Sequence, residues 1–286
     1  MKFCFTFVPG IVMTKTRRVS LFLCLLPLLL ATACSGHKKN PDLVQQPEPV
    51  AKMYDNAAAN LQSGNYTEAA KGFNDVEQNY PYSEWATRAQ LMAAYAYYKN
   101  LKYSDAVIAL NQFIELHPGD PNVAYAYYIK ALCYYEQISD VQRDQEMTRK
   151  ALAALRQVRE RFPDTPYARD ADLKIDLTLD HLAGKDMEIG RYYLDHKDYQ
   201  AAINRFQTVI TKYQTTTQVP EALERLVEAY TALGIKSQAL RSAAILGQNF
   251  PQSQWYRDAY KLVGPQQAAA PAPQDSVYEK TLGKIF

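Results

Sequence analysis

The chain has 286 residues with 32 basic and 30 acidic side chains, a balance that excludes the strong positive field on which nucleic-acid binding depends. Tyrosine is abundant at 22 and glycine scarce at 11, and no apolar/polar alternation persists along the chain. Both facts argue for helices and against a sheet-rich fold.

In chain order, Phe3, Phe5, Phe7 and Val8 precede a basic run of Lys15, Arg17 and Arg18, and Met13 offers a more conventional start than Met1. An apolar stretch from Val19 to Leu30 follows, too short to span a membrane, so residues 1–33 read as a signal peptide. Ala31-Thr32-Ala33-Cys34 resembles the lipobox of bacterial lipoproteins, with Ala31 where leucine is usual. That resemblance implies cleavage before Cys34 and acylation of Cys34. Ser35, in place of aspartate, implies transfer to the outer membrane. Each buried methylene contributes about 0.8 kcal/mol, so two or three acyl chains anchor stably where one does not.

Losing Lys2, Lys15, Arg17 and Arg18 leaves 28 basic against 30 acidic side chains, close to neutral. Cys4 and Cys24 leave as well and Cys34 takes lipid, so Cys133 has no disulfide partner. Set among Leu132, Tyr134 and Tyr135, Cys133 reads as a buried structural thiol. Residues 34–49 contain Pro41, Pro47 and Pro49 and read as an extended tether.

From residue 50 onward an alanine is followed twelve residues later by proline. Ala69 pairs with Pro81, Ala106 with Pro118, Ala151 with Pro163 and Ala239 with Pro251, while Ala202 reaches Gln214 instead. Four residues after each alanine stand Phe73, Leu110, Leu155, Phe206 and Ala243. Just before the proline slot stand Tyr80, His117, Phe162, Tyr213 and Phe250. The alanine admits close helix approach, the residue four along shares its face, and proline ends the helix. This is the tetratricopeptide pattern, and it predicts an all-α, right-handed superhelix of five tetratricopeptide-like helix pairs with a C-terminal capping helix over Gln252–Val263. The proline slots lie 37, 45, 51 and 37 residues apart, against a usual period of about 34. Insertions are therefore expected near Ser139–Gln145 and Ala183–Asp186. Gly184-Lys185 is expected to break one helix (Pro166 to Leu182) from the next (Met187 to His196), dividing the repeat domain, 50–263, into sub-units of about 50–183 and 187–263. Residues 264–286 read as an Ala/Pro/Gln-rich linker and tail whose Val277, Leu282, Ile285 and Phe286 suit either a short docking helix or disorder.

No Walker loop, HExxH, GxSxG or CxxC motif occurs after residue 34, so neither an enzyme nor a cofactor site is expected. His117 occupies the aromatic slot, and His181 and His196 lack other metal ligands at suitable spacing. Asp172, Asp176 and Asp180, four apart on one helical face, read as a solvated acidic face or a docking site for a basic partner rather than a cation site. What remains is recognition. Tyr95, Tyr97, Tyr98, Tyr125, Tyr127, Tyr128, Tyr134 and Tyr135 crowd the first helices of repeats two and three, where some must be core and the others can line a peptide groove.

Several segments carry a more specific likeness: Tyr80-Pro81-Tyr82-Ser83, the block Ala94-Tyr95-Ala96-Tyr97-Tyr98-Lys99-Asn100, and Gly190-Arg191-Tyr192-Tyr193 ahead of Tyr199 to Phe206. Over about residues 34–263 the chain resembles the BamD family, the lipoproteins of the bacterial β-barrel assembly machinery. The resemblance implies a non-catalytic scaffold at the periplasmic face of the outer membrane. Its N-terminal repeats would engage unfolded outer-membrane proteins, with Tyr80, Tyr95 and Tyr98 as substrate contacts. Its C-terminal repeats would meet the POTRA region of the barrel subunit BamA, with Asn204 and Arg205 as partner contacts, and other lipoproteins of the machinery would join. The alternative is another tetratricopeptide lipoprotein, such as a secretin pilotin or a cell-wall coordinator.

Overall fold

Residues 48–264 are described in the computed structural model, and among them every regular element is an α-helix. The expected signal peptide, Cys34, most of the tether and the tail beyond Gly264 lie outside the described residues. The helices pair in sequence: α1 (Val50–Gln62) with α2 (Tyr66–Asn79), α3 (Glu84–Lys99) with α4 (Tyr103–Leu116), α5 (Val123–Tyr135) with α6 (Glu146–Arg161), α7 (Pro166–Asp195) with α8 (Tyr199–Lys212), and α9 (Val219–Ala232) with α10 (Lys236–Asn249). A last helix, α11 (Gln254–Val263), packs on α9 and α10 and closes the stack.

The repeat signature falls on the second helix of every pair. Ala69, Ala106, Ala151, Ala202 and Ala239 are buried, and the residues four along (Phe73, Leu110, Leu155, Phe206, Ala243) are fully so. The aromatic slot is the helix C-cap each time: Tyr80, His117, Phe162, Tyr213 and Phe250 have φ between −134° and −127° and ψ between 46° and 55°. Each cap amide donates to a carbonyl four residues back, after which proline prevents continuation in four of the five, Gln214 following Tyr213 in the fourth pair.

Four of the five turns inside pairs are one motif. Gly64, Leu101, Lys197 and Gly234 take φ of 78°, 60°, 63° and 72°. The following amides (Asn65, Lys102, Asp198, Ile235) donate five residues back, to Asn60, Tyr97, Tyr193 and Tyr230. That bond satisfies a carbonyl left over at the helix end. The third pair departs: residues 136–145 form a longer loop organised by the buried Gln145. Its Nε2 donates to the carbonyls of Asp140, Val141 and Arg143 at 3.2, 3.4 and 3.1 Å, and its Oε1 accepts from the Thr148 hydroxyl at 2.8 Å.

The expected break at Gly184-Lys185 does not occur, because α7 runs unbroken for 30 residues. A helical glycine costs only about 1 kcal/mol, and Ala183 and Met187, both fully buried, hold the helix on either side. Gly184 also lies where an added Cβ would meet the Val141 side chain at 3.5 Å. Lys185 Nζ donates to the Gln142 carbonyl at 2.9 Å. The two insertions thus pack on each other, and α7 enters two successive cores, with Ala171 and Ile175 in one and Ala183, Met187 and Leu194 in the next. No helix of the described residues is long and apolar enough to cross a membrane.

Two consequences are measurable. Leu101 is exposed and left-handed, a conformation that costs side-chain-bearing residues about 1–2 kcal/mol, so Leu101→Gly should stabilise by about 0.5–1 kcal/mol after the entropy glycine adds to the unfolded chain. An unchanged urea midpoint would show that the leucine's own contacts offset the strain. Gly190→Ala should do the reverse of what helix propensity suggests: its Cβ would come within 2.4 Å of Phe206 Cε1. The expected net loss is about 1–3 kcal/mol, read as a lowered Tm.

Candidate functional site

Tyrosines three apart on α3 and α5 share a helix face, and the stacking of pairs aligns those faces. The result is a continuous row of rings. Tyr103 meets Tyr98 at 6.0 Å between centroids, Tyr98 meets Tyr95 at 6.3 Å, Tyr95 meets Tyr125 at 6.3 Å, Tyr125 meets Tyr167 at 5.5 Å, and Tyr167 stacks on Tyr128 at 5.3 Å. All six are half-buried, each offering apolar area together with a hydroxyl. Burial pushes the Tyr98 phenol up to about 12, with Glu136 adding to it; burial and its tyrosine neighbours push Tyr125 up to about 12. Both are therefore neutral hydroxyl donors at ordinary pH. At the far end the Tyr128 hydroxyl donates to Asp170 Oδ2 at 2.6 Å, and Asp170 pairs with Lys174 at 3.0 Å. Although burial works against it, these two partners hold the Asp170 carboxyl below its ordinary value.

Tyr95 and Tyr98 thus stand together in the row, while Tyr80 does not join it. Tyr80 caps α2, and its hydroxyl donates to the Glu48 backbone carbonyl at 2.7 Å, fastening the entering chain to the first pair. Two residues on, Tyr82 is fully exposed; it belongs to the segment Tyr80 to Ser83 that carries the family likeness, but it fills no repeat position and so drew no contact role. Of the eight tyrosines singled out on the first helices, only Tyr127 is buried.

Asn204 and Arg205 are adjacent and exposed on α8. Arg205 Nη1 lies 3.1 Å from Asp186 Oδ1, so it is in part a helix-surface ion pair. It borders a cleft of about 430 Å³ whose charged lining is Arg143, Asp144, Arg149, Lys185 and Asp186. The inserted loop and the extra length of α7 make this cleft.

The aspartate stripe is divided among local tasks. Asp172 faces Arg159 at 3.7 Å. Asp180 accepts from the Thr217 amide at 2.8 Å and from its hydroxyl, and from Gln218 at 3.3 Å, latching the loop in which Gln214 replaces proline. Among the described residues no group of three or more His, Cys, Asp or Glu is placed to hold a metal. Cys133 is fully buried, and burial pushes its thiol up to about 12, so it is a protonated packing group.

A charged knot sits where α7, α9 and α11 meet. Arg191 pairs with Glu221 at 2.9 Å and Arg225 with Glu228 at 2.8 Å, while the Arg225 guanidinium lies over Trp255. The Glu224 side chain is buried beside Arg225 Nε at 3.5 Å, with Oε2 making no hydrogen bond. Burial pushes its carboxyl up to about 7 despite Arg225, with Glu228, Asp258 and Glu221 adding to the rise.

Comparison with known proteins covers these same elements. The model of the family "YfiO: Outer membrane lipoprotein" matches residues 46–245. The chain is 51% identical over 230 residues to the outer membrane protein assembly factor BamD of Caulobacter vibrioides, covering 80% of this chain and 75% of that protein. To the BamD of Rickettsia prowazekii it is 45% identical over 235 residues, 82% and 92% of the two chains. The chain belongs to the YfiO/BamD family. The family match reaches from the tether into α10, so the tyrosine row and the Arg205 cleft both lie on family sequence and α11 beyond it. Among solved structures, the TPR2AB domain of yeast Sti1 shares 13% identity with a TM-score of 0.40, over 75% of this chain and 81% of that one.

The raised Glu224 carboxyl has a definite sign. Its charged form is disfavoured on folding, so its contribution is fully present below the unfolded value near 4.5 and lost as pH rises through about 7. Glu224→Gln should therefore be the more stable protein at pH 8, by on the order of 2 kcal/mol, with the difference vanishing by pH 4. Urea unfolding at the two pH values measures this; an equal deficit at both would mean the carboxylate is held favourably by Arg225.

Proposed function

We propose that this chain is a non-catalytic assembly factor for outer-membrane proteins, tethered by Cys34 to the periplasmic face of the outer membrane. The observation that carries the reading is family membership over most of the repeat stack, joined to a row of six tyrosines on neighbouring helix pairs. Such a row suits an extended segment: rings spaced along a groove contact successive side chains, and neutral hydroxyls bond to its backbone. In this reading Tyr95 and Tyr98 contact the aromatic-rich C-terminal signal of an unfolded outer-membrane protein, and Tyr80 orders the first pair through Glu48. Asn204 and Arg205 meet the POTRA region of the BamA-like barrel subunit at the other end, and other lipoproteins of the machinery attach to the same scaffold. The pilotin and cell-wall readings lose ground, since the relatives matched over most of the chain are named as BamD assembly factors.

Fluorescence anisotropy with a labelled peptide of such a C-terminal signal tests the groove. Tyr95→Ala and Tyr98→Ala should each weaken binding by about 1–2 kcal/mol with helicity retained. A fall in Tm without loss of affinity would assign both to the core. Arg205→Leu forfeits a part-exposed ion pair worth under about 1 kcal/mol, so the fold should survive while capture of a POTRA fragment falls. Undiminished capture would remove Arg205 from the interface.

A further inference from the structure

The loop over residues 136–145 contains no glycine, so side chains set its shape. Four successive carbonyls, Asp140 to Arg143, end on two donors. Gln145 Nε2 donates to those of Asp140, Val141 and Arg143, and Lys185 Nζ, reaching across from α7, to that of Gln142. Gln145 is itself only 4% exposed, and the Thr148 hydroxyl fixes it by donating to Oε1. Asp140 Oδ1 accepts from the Gln142 amide at 2.8 Å, and Asp144 Oδ2 from the Glu146 amide at 2.6 Å. Withdrawing the Gln145 amide would leave three carbonyls without that donor, a costly change. The shape of the loop therefore hangs on one side chain.

That loop lines the cleft of about 430 Å³ beside Arg205. The lining holds more cations than carboxylates: Arg143, Arg149, Lys185 and Arg205 against Asp144 and Asp186. The cations are unequally engaged. Arg205 lies 3.1 Å from Asp186, whereas Arg149 approaches Asp144 only to 3.8 Å. Lys185 bonds to a neutral carbonyl. Among the described residues the exposed Arg143 side chain forms no hydrogen bond or ion pair. Unspent positive charge thus stands on the loop wall, on the same cleft as Arg205.

We infer that Gln145 is a positioning residue for partner binding: by fixing the loop it stations Arg143 at the Arg205 cleft, so that loop and α8 each present a cation to one acidic segment of the POTRA region. The inference rests on the reading that Arg205 meets that partner. Charge selects the occupant, since an acidic segment complements a lining with surplus cations. A loop already ordered in the free protein adds little ordering cost to binding. The repeat plan itself does not call for Gln145, because the other four pairs turn without such a loop.

The test measures capture of a POTRA fragment by the full chain in detergent, with helicity followed alongside. Arg143→Gln should weaken capture about threefold to fivefold, mainly in the association rate, and flatten its salt dependence. Gln145→Leu should weaken it at least as much, and in that background Arg143→Gln should cost nothing further. Where Gln145→Leu loses helicity, Thr148→Val, which frees only the Gln145 Oε1, takes its place in the same cycle. Losses that simply add would make Gln145 a structural residue alone and overturn the positioning role. Undiminished capture by Arg143→Gln while Arg205→Leu lowers it overturns the loop wall and leaves the partner reading standing. If the unaltered chain captures no fragment, both fall together.

Discussion

The close approach of the two helices in each pair, permitted by one alanine, is the constraint on which the rest depends. Ala69, Ala106, Ala151, Ala202 and Ala239 are buried because any larger side chain would push the partner helix away. With the helices held at that distance, Phe73, Leu110, Leu155 and Phe206 fill the space one turn further along, and Gly190 lies flat against Phe206 where even a methyl group would not fit. Cap residue and proline then set where the chain leaves, so each following pair starts in register with the last. The row of tyrosines follows from that regularity: rings on separate helices meet only because the pairs repeat.

Regularity also gives meaning to the departures. Five copies of one plan offer five similar surfaces, and recognition needs them to differ. The loop at 136–145 and the extra turns of α7 break the period together and pack together, and Arg205 lies beside the cleft they create. At equivalent positions of successive junctions one geometry carries a hydrogen bond from Gln90 to Glu77, an ion pair of Arg159 with Asp172 and an apolar pair, Ile210 and Leu223. Differentiation comes from substitution at fixed positions, while the backbone plan stays constant.

How much of this could be read from sequence depended on whether the cause was local. Pairs, caps and the loop insertion were legible because alanine, aromatic and proline recur at fixed spacing, each with a nearby physical effect. The break at Gly184-Lys185 was misjudged because glycine's cost is small, and the burial of Ala183 and Met187 that outweighs it comes from other helices. Leu101 and Lys197 gave no turn signal, since neither residue type favours a left-handed conformation. Asp180 looked like part of an acidic stripe because its partner Thr217 is 37 residues away. The abundance of tyrosine suggested a groove, but only the stacking of α3, α5 and α7 separates the row from the buried Tyr127.

Helix α7 has a mechanical consequence. A solenoid bends because small rotations accumulate at the interfaces between its units. One rod of about 45 Å takes part in two adjacent hydrophobic cores, so at that place there is no interface to give way. Bending of such a stack falls to the junctions before and after α7, while the two cores that share the helix keep a fixed relation.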